Sequence, residues 1–203
     1  MITLISCKAD TTNIYKNIDG STLSEDFKRE IPIDIDKQPD WIYDYIRQQT
    51  NELGLDTISS GFKQLQIRIW FHDWLRIDKD LIILSRADQK WTGKLITATY
   101  SYNDTTQEHF IVRQKSRFIA PKSGWDNLFY SLQNLQILTL GDMNELPNYP
   151  TREDGVDIVV EIATPQKYRM YHYWSPTLAS DKFWQAKNMV SISEKLRTEF
   201  GMQ

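Results

Sequence analysis

A histidine beside a carboxylate is the smallest pairing that can move a proton, and the chain has two of them, His72-Asp73 and Glu108-His109. Such pairs could serve acid–base catalysis in a hydrolase. The plainer reading of the first is that Asp73 caps a turn and His72 is exposed or satisfied. The second opens a strand after a polar turn, where exposed polar residues are common. Neighbours along a strand also point to opposite faces, which separates each pair unless the strand ends there. A three-histidine metal site would need His72, His109 and His172 on one surface, and no H-x-H or H-x-x-x-H spacing enforces that. Cys7 is the one cysteine, so neither a Cys/His zinc cluster nor an intrachain disulfide is expected. No Gly-rich phosphate loop and no G-x-S-x-G elbow occurs. No metal, no cofactor and no catalytic residue is therefore assigned.

The remaining candidate is the run Tyr168-Arg169-Met170-Tyr171-His172-Tyr173-Trp174. Alternation along a strand puts Arg169, Tyr171 and Tyr173 on one face and Tyr168, Met170, His172 and Trp174 on the other. The preceding apolar run carries Asp157, Val159 and Glu161. A connection of odd length would set Glu161 across from Arg169 as a cross-strand ion pair beside two tyrosines. Arg169, Tyr171, Tyr173 and Glu161 are thus the candidate ligand-binding set. Mixed aromatic and charged surface of this kind recognises a sugar ring, a peptide or a protein partner. The plainer reading is a sheet face covered by the last helix, with the tyrosine hydroxyls reaching its edge.

The opening Met1-Ile2-Thr3-Leu4-Ile5-Ser6-Cys7 is short and apolar and ends in the thiol. Leu4-Ile5-Ser6-Cys7 resembles the lipobox that closes a bacterial lipoprotein signal peptide. The resemblance implies cleavage before Cys7, acylation of its sulfur and membrane attachment through the acyl chains. A signal peptide needs a basic start and a longer apolar stretch, so this reading expects a start codon upstream of Met1. Residues 1–7 are then the remnant of the export signal, residues 8–28 a polar tether and residues 29–203 one domain. The opposing reading makes Ile2 to Ile5 an edge strand and Cys7 an ordinary buried thiol.

The elements that must position these residues follow from patterning. A chain of 203 residues with 40% hydrophobic and 25% charged residues is globular in composition. Its net charge of -3 gives no basic excess to neutralise phosphates, so no nucleic-acid partner is expected. Ile31, Ile33 and Ile35 alternate in an edge strand over 29–36 that Pro32 keeps at the rim. Pro39 opens a helix with Ile42, Tyr45, Ile46, Gln49 and Leu53 at helical steps and Gly54 as its stop. Strands are predicted over 62–71, 81–84, 90–102 and 109–119, an antiparallel meander. Ser123 is the predicted cap of a second helix, with Asp126 three residues on. A long loop over 141–155 leads to a hairpin, 156–163 with 168–174, and Ser180 is read as the cap of a final helix to about Phe200. No parallel βαβ unit is evident. The class is α+β: a mainly antiparallel, curved sheet of about six or seven strands packed with about three helices.

Three functional readings follow. The first is a lipid-anchored or secreted envelope protein, facing periplasm or cell surface, that binds a protein or glycan without catalysing a reaction. The second is a hydrolase built on a histidine and a carboxylate. The third is a cytoplasmic immunity or adaptor protein, which requires Met1 to be the true start.

Overall fold

The computed structural model describes residues 26–105, 108–150 and 155–202. Cys7 and the segment expected to tether the domain, up to residue 25, lie outside them. Among the described residues the strands are β1 (Lys28–Glu30), β2 (Leu65–Asp73), β3 (Asp78–Ala87), β4 (Lys90–Asn103), β5 (Glu108–Ile119), β6 (Val156–Ala163) and β7 (Lys167–Trp174). The helices are α1 (Trp41–Glu52), α2 (Trp125–Asn134), α3 (Pro176–Ala179) and α4 (Trp184–Phe200). The fold is α+β. One sheet runs in the order β1-β7-β6-β2-β3-β4-β5, antiparallel throughout except for the β1–β7 pair.

Both faces of the sheet are covered, so β2, β6 and β7 are buried on successive residues rather than on alternate ones. On the back face Ile67, Ile69, Ile82, Leu84, Val160 and Ile162 meet Leu128 and Leu132 of α2 and Met189, Ile192 and Leu196 of α4. On the front face Trp70, Leu81, Ile83, Ile96 and Val159 meet Ile42, Tyr43 and Ile46 of α1 and Ile58. The apolar spacing along α4, with Ala186, Met189, Ile192 and Leu196 all buried, is the three-and-four step of a one-sided helix. The β3–β4 hairpin closes through Asp88 and Gln89, both with positive φ (48° and 63°), the two-residue turn whose twist suits a hairpin.

The helix starts differ from expectation in instructive ways. Pro39 lies just before α1 rather than opening it: the helix starts at Trp41, and its cap is Asp40, whose Oδ1 accepts the Ile42 N–H at 3.0 Å. Gly54 (φ 63°) does end it, with the Leu55 N–H reaching the Thr50 carbonyl. Gly124 rather than Ser123 occupies the cap of α2, and the Ser123 backbone N–H donates to Glu199 Oε2 at 2.8 Å. Ser180 does not cap α4; its hydroxyl bonds back to the Thr177 carbonyl in the one-turn α3, and α4 begins at Trp184. The predicted edge strand over 29–36 shortens to β1. Pro32 cannot donate to a ladder, and the chain turns at Asp34, whose Oδ1 accepts the Gln38 N–H at 2.8 Å. Ile35 is left at the tip of that turn, 97% exposed, rather than on a common face with Ile31 and Ile33.

On the back face Trp91 stacks on Trp125 at 6.1 Å and lies 4.6 Å from Phe129. Gly93 makes this possible: a Cβ there would stand 2.8 Å from both the Trp125 ring and Ile119 Cγ1. Gly93→Ala should therefore lower stability by about 1–3 kcal/mol, as an overpacked core does. A chemical-denaturation midpoint will check this; a variant as stable as the parent would show that the indole moves aside freely.

Candidate functional site

The register of the β6–β7 hairpin decides what the candidate residues can do. Ala163 pairs with Tyr168, so Glu161 stands across from Met170 and Arg169 across from Ile162. Four residues separate the first pair, an even number, and the parity turns Glu161 to the front face while Arg169 stays on the back. The expected Glu161–Arg169 ion pair is thus not formed. Glu161 instead accepts the Trp70 indole N–H at 2.8 Å and the Tyr168 hydroxyl at 2.9 Å. Arg169, Tyr171 and Tyr173 do share a face, as alternation requires. Their polar atoms grip the backbone that follows α2. The Tyr171 hydroxyl donates to Ile137 O and the Tyr173 hydroxyl to Gly141 O, both at 2.6 Å. Arg169 donates to the Leu138 and Leu140 carbonyls and pairs with Glu30 at 3.0 Å.

These clamps hold the chain against the open edge of β7. β1 pairs with Lys167, Tyr168 and Arg169 only. Beyond them Asp142 takes the place of a neighbouring strand. Its Oδ2 accepts the backbone N–H of His172 at 2.8 Å and meets the His172 ring Nδ1 at 3.0 Å. Met143 Sδ accepts the Trp174 N–H at 3.1 Å. Asn144 then donates to Asp40 Oδ2 at 2.7 Å, which ties the same turn to the start of α1.

Between this edge, α1 and residues 56–60 opens a cleft of about 1350 Å³. Glu161, Arg169 and Tyr171 line it; Tyr173 does not. The lining adds Arg29, Lys37 and Arg47 to Arg169, and Glu30, Asp44, Asp56, Asp142 and Glu145 to Glu161. Both charge signs, with Tyr43 and Tyr171, suit a polar ligand that has hydrogen-bonding groups on several sides. Sequence reasoning missed the α1 side of the cleft, since nothing local places Arg47 and Asn51 opposite β7.

Behind Asp142 the front face carries buried polar groups that the sequence had dispersed. His72 is the cross-strand partner of Asp157, and His172 is the partner of Val159, one step along the same face. All three are almost fully buried. Neither ring nitrogen of His72 and neither oxygen of Asp157 has a hydrogen-bond partner. Burial, with the nearby Lys79 ammonium, holds His72 neutral down to about pH 3. Burial raises the Asp157 carboxyl to about 6. Burial alone would lower His172, but its bond to Asp142 and the charges of Asp157, Asp142 and Asp40 raise it to about 9. The shift favours the protonated ring of His172 at neutral pH, held against Asp142. Asp73 does what a turn residue does, accepting the Leu75 N–H at 3.0 Å, and His109 lies exposed 5.0 Å from the Tyr102 ring, far from the other histidines in the fold. Among the described residues no three His, Cys, Asp or Glu side chains form a metal-ligand group.

The pH dependence follows from these shifts. A histidine raised to about 9 stabilises the fold fully below its ordinary 6.5, and that contribution is lost as pH climbs through 9. His72 acts oppositely: below 6.5 the unfolded chain takes a proton that the folded chain refuses until about 3. Asp157 costs stability above about 6 and relieves that cost as pH falls toward its ordinary 3.8. Asp142→Asn should destabilise by about 3 kcal/mol at pH 6.5, as removal of one partner from a buried pair does. The gap between parent and variant should narrow as pH rises to 9, followed by thermal unfolding at each pH; a gap independent of pH would contradict the charge on His172.

Compared with protein-family models, with curated protein sequences and with solved structures, the chain matches none.

Proposed function

We propose that this chain is a non-enzymatic binding domain whose recognition site is the cleft beside β7, and that it is held at the cell envelope by acylation of Cys7. The observation that carries the first half is the cleft itself. It is large enough for a short peptide segment or an oligosaccharide, and it is lined by both charge signs and two tyrosines. Its walls are fixed by the Asp142, Asn144 and Arg169 contacts, so it need not form on binding. The second half rests on Leu4-Ile5-Ser6-Cys7 alone. The hydrolase reading gains a His72–Asp157 cross-strand pair on one face. Both side chains are enclosed between sheet and α1, where a substrate would have to displace the helix. A cytoplasmic immunity or adaptor role would use the same cleft and requires an unmodified Cys7.

Expression in a bacterium with the native upstream sequence separates these locations. Mass spectrometry should find a diacylglyceryl group on an N-terminal Cys7 in the membrane fraction. An intact, unmodified Met1 would move the protein to the cytoplasm. For the cleft, a glycan array and a displayed peptide library are the probes. A ligand selected on the parent should bind at least about tenfold more weakly to Arg47→Ala with Asn51→Ala, two changes on the cleft side of α1. Unchanged binding would place recognition elsewhere on the molecule.

A further inference from the structure

The two edges of the sheet are finished differently. The β7 edge is sealed by β1, Asp142 and Met143. At the opposite edge β5 pairs with β4 alone among the described residues. It runs for 12 residues and holds no proline. Its register slips once, where Val112 is left over between the Tyr100–Ile111 and Thr99–Arg113 pairs. Every residue from Val112 to Phe118 is exposed, so this stretch is open on both faces. In an antiparallel pair every second residue turns its N–H and C=O away from its neighbour. The outer side of β5 therefore offers a row of backbone donors and acceptors to another strand.

The charge along this edge has one sign. β5 opens with Glu108, and from His109 to Trp125 the chain holds no Asp or Glu, in a protein whose net charge is -3. Arg113, Lys115 and Arg117 alternate, which puts all three on the back face beside Thr99, Thr97 and Leu95. Arg117 is engaged by Phe200 O, to which it donates at 3.0 Å. Among the described residues Arg113 bonds the Thr99 hydroxyl, and neither it nor Lys115 forms an ion pair. The carboxylates of that face, Asp78 and Asp80, stand two strands inward, roughly 10 Å away by strand spacing. They accept the Thr99 and Thr97 hydroxyls, both at 2.6 Å.

That pattern selects the occupant. A second copy paired antiparallel through the same edge would keep its basic row on the same face and set cation opposite cation. A strand with carboxylates on alternate residues would instead bring them opposite Arg113 and Lys115. Its intervening side chains would fall on the front face beside Phe118, which is 86% exposed.

We infer that the outer side of β5 is a docking edge for an extended acidic segment of a partner protein, which joins the sheet as a further strand. The main-chain ladder supplies the attachment, and the two cations choose the sequence. The full-length chain is titrated with a fluorescent synthetic peptide in which glutamate alternates with valine, and with its lysine–valine counterpart. The glutamate peptide should bind and slow amide exchange between Arg113 and Phe118; the lysine peptide should not bind. Methylating the odd or the even backbone nitrogens of the glutamate peptide should abolish binding in one of the two cases, because only one set faces β5. Arg113→Glu with Lys115→Glu should weaken the glutamate peptide at least about tenfold and admit the lysine peptide. The neutral pair Arg113→Gln with Lys115→Gln should weaken the first without admitting the second. All four changes face solvent, so the melting temperature should stay near the parent's. Failure of the glutamate peptide to bind would overturn the inference and leave the basic row as a guard against strand pairing. So would binding that survives both methylation patterns, which is charge attraction without a ladder. Self-association of the parent through β5 would overturn it in favour of a second copy. None of these outcomes bears on the cleft or on Cys7 acylation.

Discussion

A sheet edge exposes backbone groups that must be bonded, and here one carboxylate settles how. β1 runs beside β7 for three residues and then leaves. From that point Asp142 serves as the missing strand, taking the His172 backbone N–H and the His172 ring on a single oxygen. A loop can sit against a strand in this way only if something fixes its approach. The Tyr171 and Tyr173 hydroxyls and the Arg169 guanidinium do so by bonding four carbonyls between Ile137 and Gly141. The cleft is the space left where a continuous strand would otherwise have run. Asp142, Glu145 and Arg169 on its wall are placed by that substitution of a side chain for a strand, and α1 and residues 56–60 supply the rest of the charged lining.

The charge state of His172 ties the edge to the interior. Protonated, it neutralises part of the carboxylate group formed by Asp142, Asp40 and Asp157 beneath α1. Asp40 is also the N-cap of α1, so the helix start, the turn at Asn144 and the β7 edge share one electrostatic neighbourhood. Deeper on the same face a second polar group is satisfied differently. Arg68 donates to Gln66 at 2.9 Å and to Asp56 O at 2.6 Å, while Glu161 takes Trp70 and Tyr168. Buried polar layers of this kind favour one register over its neighbours, because a slip of one residue would strand every charge. His72 and Asp157, a cross-strand pair, are buried without partners, and Arg68 Nη1 and the Trp74 and Trp174 indole nitrogens are likewise buried with none, each at a cost in stability.

The strands were legible because alternation and apolar runs survive any packing, and α1 because Ile42, Ile46 and Gln49 repeat at helical steps. Boundaries were not, wherever a distant group takes over a local one. Glu199 claims the Ser123 N–H from 76 residues away, and no local capping rule anticipates it. The candidate site divides along the same line. Alternation placed Arg169, Tyr171 and Tyr173 on one face correctly. Glu161 depended on the parity of a turn, which composition does not reveal. The carbonyls that the two tyrosines bond lie more than 30 residues earlier, and His72 meets Asp157 through a β2–β6 pairing between distant segments. An aspartate and a glutamate inside an otherwise apolar strand, Val156 to Ala163, were the visible sign that the front face holds buried polar groups.

The claim on which the cleft rests is that Asp142 holds a protonated His172 at the open edge of β7. Imidazole nitrogen shifts of His172, followed by NMR from pH 5 to 10 in the intact protein, test it most directly. The account predicts a charged ring at neutral pH whose titration is centred near 9. A His172 that loses its proton near the ordinary 6.5 would mean that the carboxylate does not grip it, and the edge, the cleft and the rigidity argued from them would have to be explained in another way.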